Sequence, residues 1–209
     1  MNKLLHIVLG ALAALLAAGT LCFAQDPAPA NYAFPAPGTR WQMAVNNDGK
    51  PSLVTSTVLE DGDYQGQKVH RVSMSDGEAE PSIDILDLDT GNWITTLVGG
   101  VPHRGVYAKP HNALFSWPLT TDKRWRADFL YGSYGPHEMR VYVDAYEEVT
   151  VPAGTFKAYK VIAADPAGRW YRTTYWYAPS IGLVVKREDW AKQKGRKQSE
   201  LKAYRLVAQ

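Results

Sequence analysis

Residues 139–188 constrain the fold more than any other stretch of the chain. Val141, Val143, Ala145, Val149 and Val151 fall on one parity, and Tyr142, Asp144, Tyr146, Glu148 and Thr150 on the other. A period of two, carried by β-branched and aromatic residues, is a strand pattern. Pro152-Ala153-Gly154 ends that strand, because proline cannot donate to a ladder and glycine reaches positive φ. Phe156, Ala158, Tyr159 and Val161 open a return strand, and Asp165-Pro166-Ala167-Gly168 supplies the next turn. Trp170, Arg172, Thr174 and Trp176 then alternate with Tyr171, Thr173, Tyr175 and Tyr177. After Ala178–Gly182, Leu183, Val184 and Val185 begin a fourth strand. Four consecutive antiparallel strands are predicted, with aromatic rings on both faces.

The chain upstream has the same grain. Thr39–Val45 and Leu53–Glu60 read as strands around the hairpin signal Asn46-Asn47-Asp48-Gly49. Gln67–Ser75, Ser82–Leu88 and Trp93–Val98 follow, each bounded by turn residues, and Trp125–Leu130 is another strand. Gly99–Asp122 is broken by glycines and prolines and is expected to form a loop over one end of the sheet or a short strand with long flanks. Asp189–Ser199 is the one stretch with weak helical character, and Glu200–Val207 is the expected last strand. The predicted class is all-β: a single curved antiparallel sheet, a half-barrel or clamshell, spanning 39–209 as one domain.

Two segments precede it. Residues 1–24 carry Lys3, an apolar run from Leu4 to Ala18, and Cys22-Phe23-Ala24, the outline of a helical signal peptide cut after Ala24. A periplasmic or secreted location is expected, with the alternatives of an uncleaved anchor or a lipidated Cys22. Cys22 is the sole cysteine, so the mature chain is expected to hold no disulfide or thiolate chemistry. Residues 25–38 contain Pro27, Pro29, Pro35 and Pro37 and are expected to form an extended tether outside the core. The formal net charge is +2, and Lys3 is the one charged residue in the first 24, leaving +1. Such a balance is no electrostatic footprint for nucleic acid.

Val151–Phe156 (VPAGTF), the stretch Tyr177-Ala178-Pro179 through Gly182-Leu183-Val184, and Trp117-Pro118-Leu119 followed by Trp125 together resemble an uncharacterised family of exported bacterial β-domains. The resemblance runs over about Phe115 to Val207. It implies a fold similar in outline to the lipoprotein-carrier clamshell, a curved sheet around an apolar cavity. It implies no catalytic residue.

No nucleophile elbow, Walker loop, HExxH or GxGxxG occurs. His103, His111 and His137, with Asp122 or Asp128, are a conceivable metal set, but their spacing does not require one, and no metal or cofactor is expected. Glu147 and Glu148 point to opposite faces of a strand and cannot act as a pair. Lys192, Lys194, Arg196 and Lys197 suit either a solvated hairpin tip or an anionic partner such as phospholipid headgroups or acidic polysaccharide. The strongest functional signal is aromatic: seven Trp and twelve Tyr. Exposing a row of such rings is unfavourable, so either both faces of the sheet are covered or the hollow face binds something apolar. The candidate lining is Trp93, Trp117, Trp125, Trp170, Trp176 and Tyr175. The expected function is non-catalytic binding of a hydrophobic or amphipathic ligand such as a lipid, with membrane contact at most transient. The alternatives are an envelope assembly module that binds another protein and, less favoured, a hydrolase of envelope material.

Overall fold

The computed structural model describes residues 27–77, 79–102, 114–130 and 136–208. The expected signal peptide, and the part of the irregular loop holding His103 and His111, lie outside the described residues. The described chain is all-β, with twelve strands: β1 (Arg40–Asn47), β2 (Lys50–Tyr64), β3 (Gln67–Ser75), β4 (Ser82–Asp87), β5 (Trp93–Val98), β6 (Val101–Pro102), β7 (Arg124–Leu130), β8 (Pro136–Val151), β9 (Gly154–Ala164), β10 (Tyr171–Ala178), β11 (Leu183–Ala191) and β12 (Gly195–Arg205). They form one antiparallel sheet in the order β6-β5-β4-β3-β2-β1-β12-β11-β10-β9-β8-β7. Two six-strand meanders are thus joined along a seam, the β1–β12 pairing, and the sheet does not close.

The weak helical stretch 189–199 is instead the β11–β12 hairpin, with Asp189 opposite Lys197 and Trp190 opposite Arg196. Gly195 turns it at φ +72°, a conformation that no helix interior accommodates. The last strand accordingly begins at Gly195 rather than Glu200.

The parity expected along β8 holds only in part. Val143 opposes Val161 and Ala145 opposes Lys160, leaving Asp144 as the extra residue of a β-bulge. A bulge puts two residues against one and changes which parity faces which side. Val141 and Val143 bury with Tyr159, Val161, Ala163 and Tyr177 in one cluster. Val149 and Val151 bury with Phe156, Ala158, Trp176, Val185 and Leu201 in another. Both faces of the β8–β10 region are therefore covered.

The proline-rich segment expected to be a tether outside the core is extended, but it lies against the sheet. Ala30 is buried and exchanges backbone hydrogen bonds with Leu119 at 2.8 and 2.9 Å. Tyr159 in β9 donates its hydroxyl to the Ala28 carbonyl at 2.7 Å. Farther along, Phe34 stacks on His70 of β3, ring centroids 3.9 Å apart, and Gly38 donates to Val58 of β2. Prolines keep this strap extended, and they suit a segment with few ladder bonds to make.

The strap also reports the curvature. His70 in β3 and Tyr177 in β10 stand five strands apart, about 24 Å in a flat sheet. Tyr32 nevertheless lies 6.3 Å from His70 and 5.6 Å from Trp117, which is 5.0 Å from Tyr177. The sheet bends around the strap.

Candidate functional site

The hollow of that bend was the expected ligand site, and the chain itself occupies it. Phe115 and Trp117 stack at 5.6 Å, Phe115 meets Tyr175 at 5.7 Å, and Trp117 meets Tyr32 and Tyr177. The Trp117 indole donates to the Thr90 carbonyl at 2.8 Å, and Asn92 brackets Phe115 with two hydrogen bonds of 2.9 Å. Lys123 holds the same segment by donating to the Ser116 and Pro118 carbonyls. Burial pushes the Tyr177 and Tyr171 hydroxyls up to about 12 and raises Tyr32 further. These phenols stay neutral at any physiological pH.

The six candidate residues divide among four places. Trp117, Trp125 and Tyr175 pack into the cluster on the strap side of the sheet. Trp93 stands apart on β5, its indole donating to Asp84 and Thr96. Burial raises the Asp84 carboxyl above its ordinary range, against those hydrogen bonds and the Arg187 charge, which lower it. Trp176 lies on the opposite face of β10, 7% exposed, its indole donating to Glu147 at 2.7 Å. Trp170 sits in the turn before β10 and is 54% exposed.

Trp176 forms the floor of an open groove of about 600 Å³ across β9–β12. Antiparallel register builds its walls. Arg172 opposes Trp190, which opposes Arg196 on β12. One row down, Thr174 opposes Glu188, which opposes Gln198. In the third row Trp176 stands between Lys160 and Lys186. Sequence reasoning reached Trp176 and the basic run but missed Arg172 and Trp190 as site residues. Their chemistry emerges only when the register sets an indole between two guanidinium groups.

The acids near the groove are already engaged. Glu188 and Asp189 pair with Lys186 and Arg187 at 3.0 and 2.9 Å, and Asp144 pairs with Lys160 at 2.8 Å. The hydrogen bond that Lys160 donates to Asp144 is the main reason its ammonium is held above its ordinary value. Arg172 pushes the other way, as a like charge beside Lys160. Among the described residues, no carboxylate pairs with the side chains of Arg172, Arg196 or Lys197. Guanidinium forks of this kind take phosphate or carboxylate oxygens two at a time, while an indole face accepts apolar surface. The groove's chemistry fits an anion with an apolar part.

A family model described as DUF3108-like matches residues 140–202, which hold strands β9–β11 and most of β8 and β12. No curated protein matches the chain. Among solved structures, a protein of Bacteroides fragilis described as exported, with a YmcC-like fold, is similar at 18% identity and a TM-score of 0.44, covering 84% of this chain and 99% of its own. A protein of Parabacteroides distasonis described as a lipoprotein gives 13% identity and a TM-score of 0.41, covering 86% and 100%. The hypothetical lipoprotein YmcC of Escherichia coli gives 13% identity and a TM-score of 0.43, covering 85% and 92%.

Proposed function

We propose that this is a non-catalytic binding protein acting outside the cytoplasm. Its ligand is an anionic amphipathic molecule of the phospholipid kind, held in the groove over β9–β12. One observation carries the reading: the cross-strand row Arg172–Trp190–Arg196, in which two guanidinium groups with no carboxylate partner among the described residues flank an exposed indole. Leaving cations unpaired beside apolar surface suits a partner that brings both a negative charge and a hydrocarbon or glycerol part. The signal-like residues 1–24 support the compartment. The aromatic hollow is the weaker choice, because Tyr32, Phe115 and Trp117 already fill it with the chain's own rings.

The test is calorimetric titration with dihexanoyl-phosphatidylglycerol kept below its micelle concentration, against dihexanoyl-phosphatidylcholine. Saturable binding of the anionic lipid alone is expected. Arg172→Ala and Arg196→Ala should each weaken it by about tenfold or more, since a hydrogen bond to a charged group contributes about 1.5–3 kcal/mol. Equal affinity for the two lipids, or no saturation with either, would rule the groove out.

A further inference from the structure

The groove opens at one end onto two neighbouring turns, Asp165–Trp170 between β9 and β10 and Lys192–Lys194 between β11 and β12. Lys192 donates its backbone N–H to the Trp170 carbonyl at 2.9 Å, which continues the β10–β11 register beyond the row of Arg172 and Trp190. Trp170 and Lys192 therefore form the next row on the same face. The Lys192 ammonium lies over the Trp170 ring, 4.7 Å from its centroid. Two of the exposed large apolar side chains, Trp170 at 54% and Trp190 at 36%, share this end.

Charge is concentrated in the same place. Residues 165–172 and 190–197 carry Arg169, Arg172, Lys192, Lys194, Arg196 and Lys197, against two acids, Asp165 and, from the β1–β2 turn, Asp48, whose carboxylate accepts the Arg196 backbone N–H. Asp165 is buried and faces inward: its carboxylate accepts four backbone N–H groups of its own turn, from Ala167, Arg169, Trp170 and Tyr171. None of the six cations is in an ion pair among the described residues. The carboxylate cage holds the turn that carries Trp170, so an indole is kept in water at the tip of a basic surface.

We infer that this end of the sheet docks on an anionic lipid bilayer, with Trp170 at the headgroup level and the lysines of the β11–β12 turn against the lipid phosphates. The inference rests on the groove reading and adds the source of its ligand: the bilayer presents the headgroup at the groove mouth. An interfacial indole flanked by lysines matches the position tryptophan takes at membrane surfaces, and basic clusters are drawn there by anionic lipid. An acidic polysaccharide would satisfy the cations but would not require a protruding apolar ring at the tip.

The mature protein is sedimented with vesicles of phosphatidylcholine containing 30% phosphatidylglycerol, with pure phosphatidylcholine vesicles, and with soluble alginate. Binding to the mixed vesicles alone is expected, released by raised salt. Trp170→Ala and the charge reversal Lys192→Glu with Lys194→Glu should each lower vesicle partitioning by about tenfold or more. Trp170→Ala should leave monomeric dihexanoyl-phosphatidylglycerol binding as it is in the unaltered protein, while the charge reversal, one row from Arg172, also weakens it through the shared field. That titration reads the groove alone, so short-chain binding without vesicle binding overturns the docking and spares the groove. Binding to alginate but not to vesicles, or vesicle binding unmoved by both tip variants, also overturns it.

Discussion

Asp165 shows how one side chain builds a functional surface. Desolvation opposes its ionisation, but four backbone N–H donors outweigh that cost and hold the carboxyl below its ordinary value. The donors include Trp170 at 2.9 Å and Tyr171 at 3.1 Å, so the turn is tied at the point where it presents the exposed indole. Because the folded-state value is depressed, this stabilisation is complete above the unfolded carboxyl range. It is lost as pH falls through the folded value, on the acid side of 3.8. Asp165→Asn keeps the shape but replaces one acceptor with a donor that faces N–H groups. A loss of about 1–3 kcal/mol is expected in urea unfolding at neutral pH. The gap between the two proteins should narrow as pH drops below the carboxyl range. A constant gap across that range would show that the charge of Asp165 is immaterial to the turn.

Among the elements, the β1–β12 seam has the largest consequence, because among the described residues it is the one strand pairing between the two meanders. Asp48, in the β1–β2 turn, ties the end of that seam: its backbone N–H donates to the Arg196 carbonyl, and its carboxylate accepts the Arg196 N–H at 3.0 Å. Gly195 lies under that carboxylate, and an added Cβ would sit 2.5 Å from its oxygens. Gly66 has a similar φ, +79° against +72°, yet a Cβ there meets nothing. Alanine at either site carries the left-handed penalty of about 1 kcal/mol, so the difference between them isolates the contact with Asp48. Gly195→Ala should lower stability by about 1–3 kcal/mol more than Gly66→Ala in chemical denaturation, and Asp48→Ala should abolish the excess. Equal costs would mean that the two turns are not coupled. This scale also marks how far the sequence was legible. Strands stood out because burial on one face imposes period two, and turns because glycine and proline serve so few conformations. The bulge at Asp144 did not, since one extra residue leaves both flanking runs alternating and merely swaps their faces. Nor did the site: Arg172, Trp190 and Arg196 sit on three successive strands, and only their pairing register puts them in one row.

At the scale of the molecule, the strap decides what the bent sheet encloses. A sheet curled through five strand spacings exposes a broad aromatic face, which has to be covered by a ligand, a partner or the chain itself. Here Ala28–Phe34 and Phe115–Leu119 cover it, bridged to each other at Ala30 and Leu119. Composition alone reads four prolines in fourteen residues as a spacer. What overrides that reading is tertiary contact: Tyr32 and Phe34 punctuate the prolines and find Trp117 and His70. A chain beginning at Pro35 therefore loses two half-buried aromatic side chains, at about 1–1.5 kcal/mol each, or about 2–3 kcal/mol in all. It also uncovers the rings of Trp117, Tyr159 and Tyr177. Thermal unfolding should report the lost stability. The emission of N-phenyl-1-naphthylamine, a neutral apolar probe indifferent to the basic groove, should rise sharply with the shortened chain and stay low with the intact one. A shortened protein that melts like the intact one and leaves the probe dark would mean that the hollow is closed by the sheet alone and that the strap is the spacer its composition suggests.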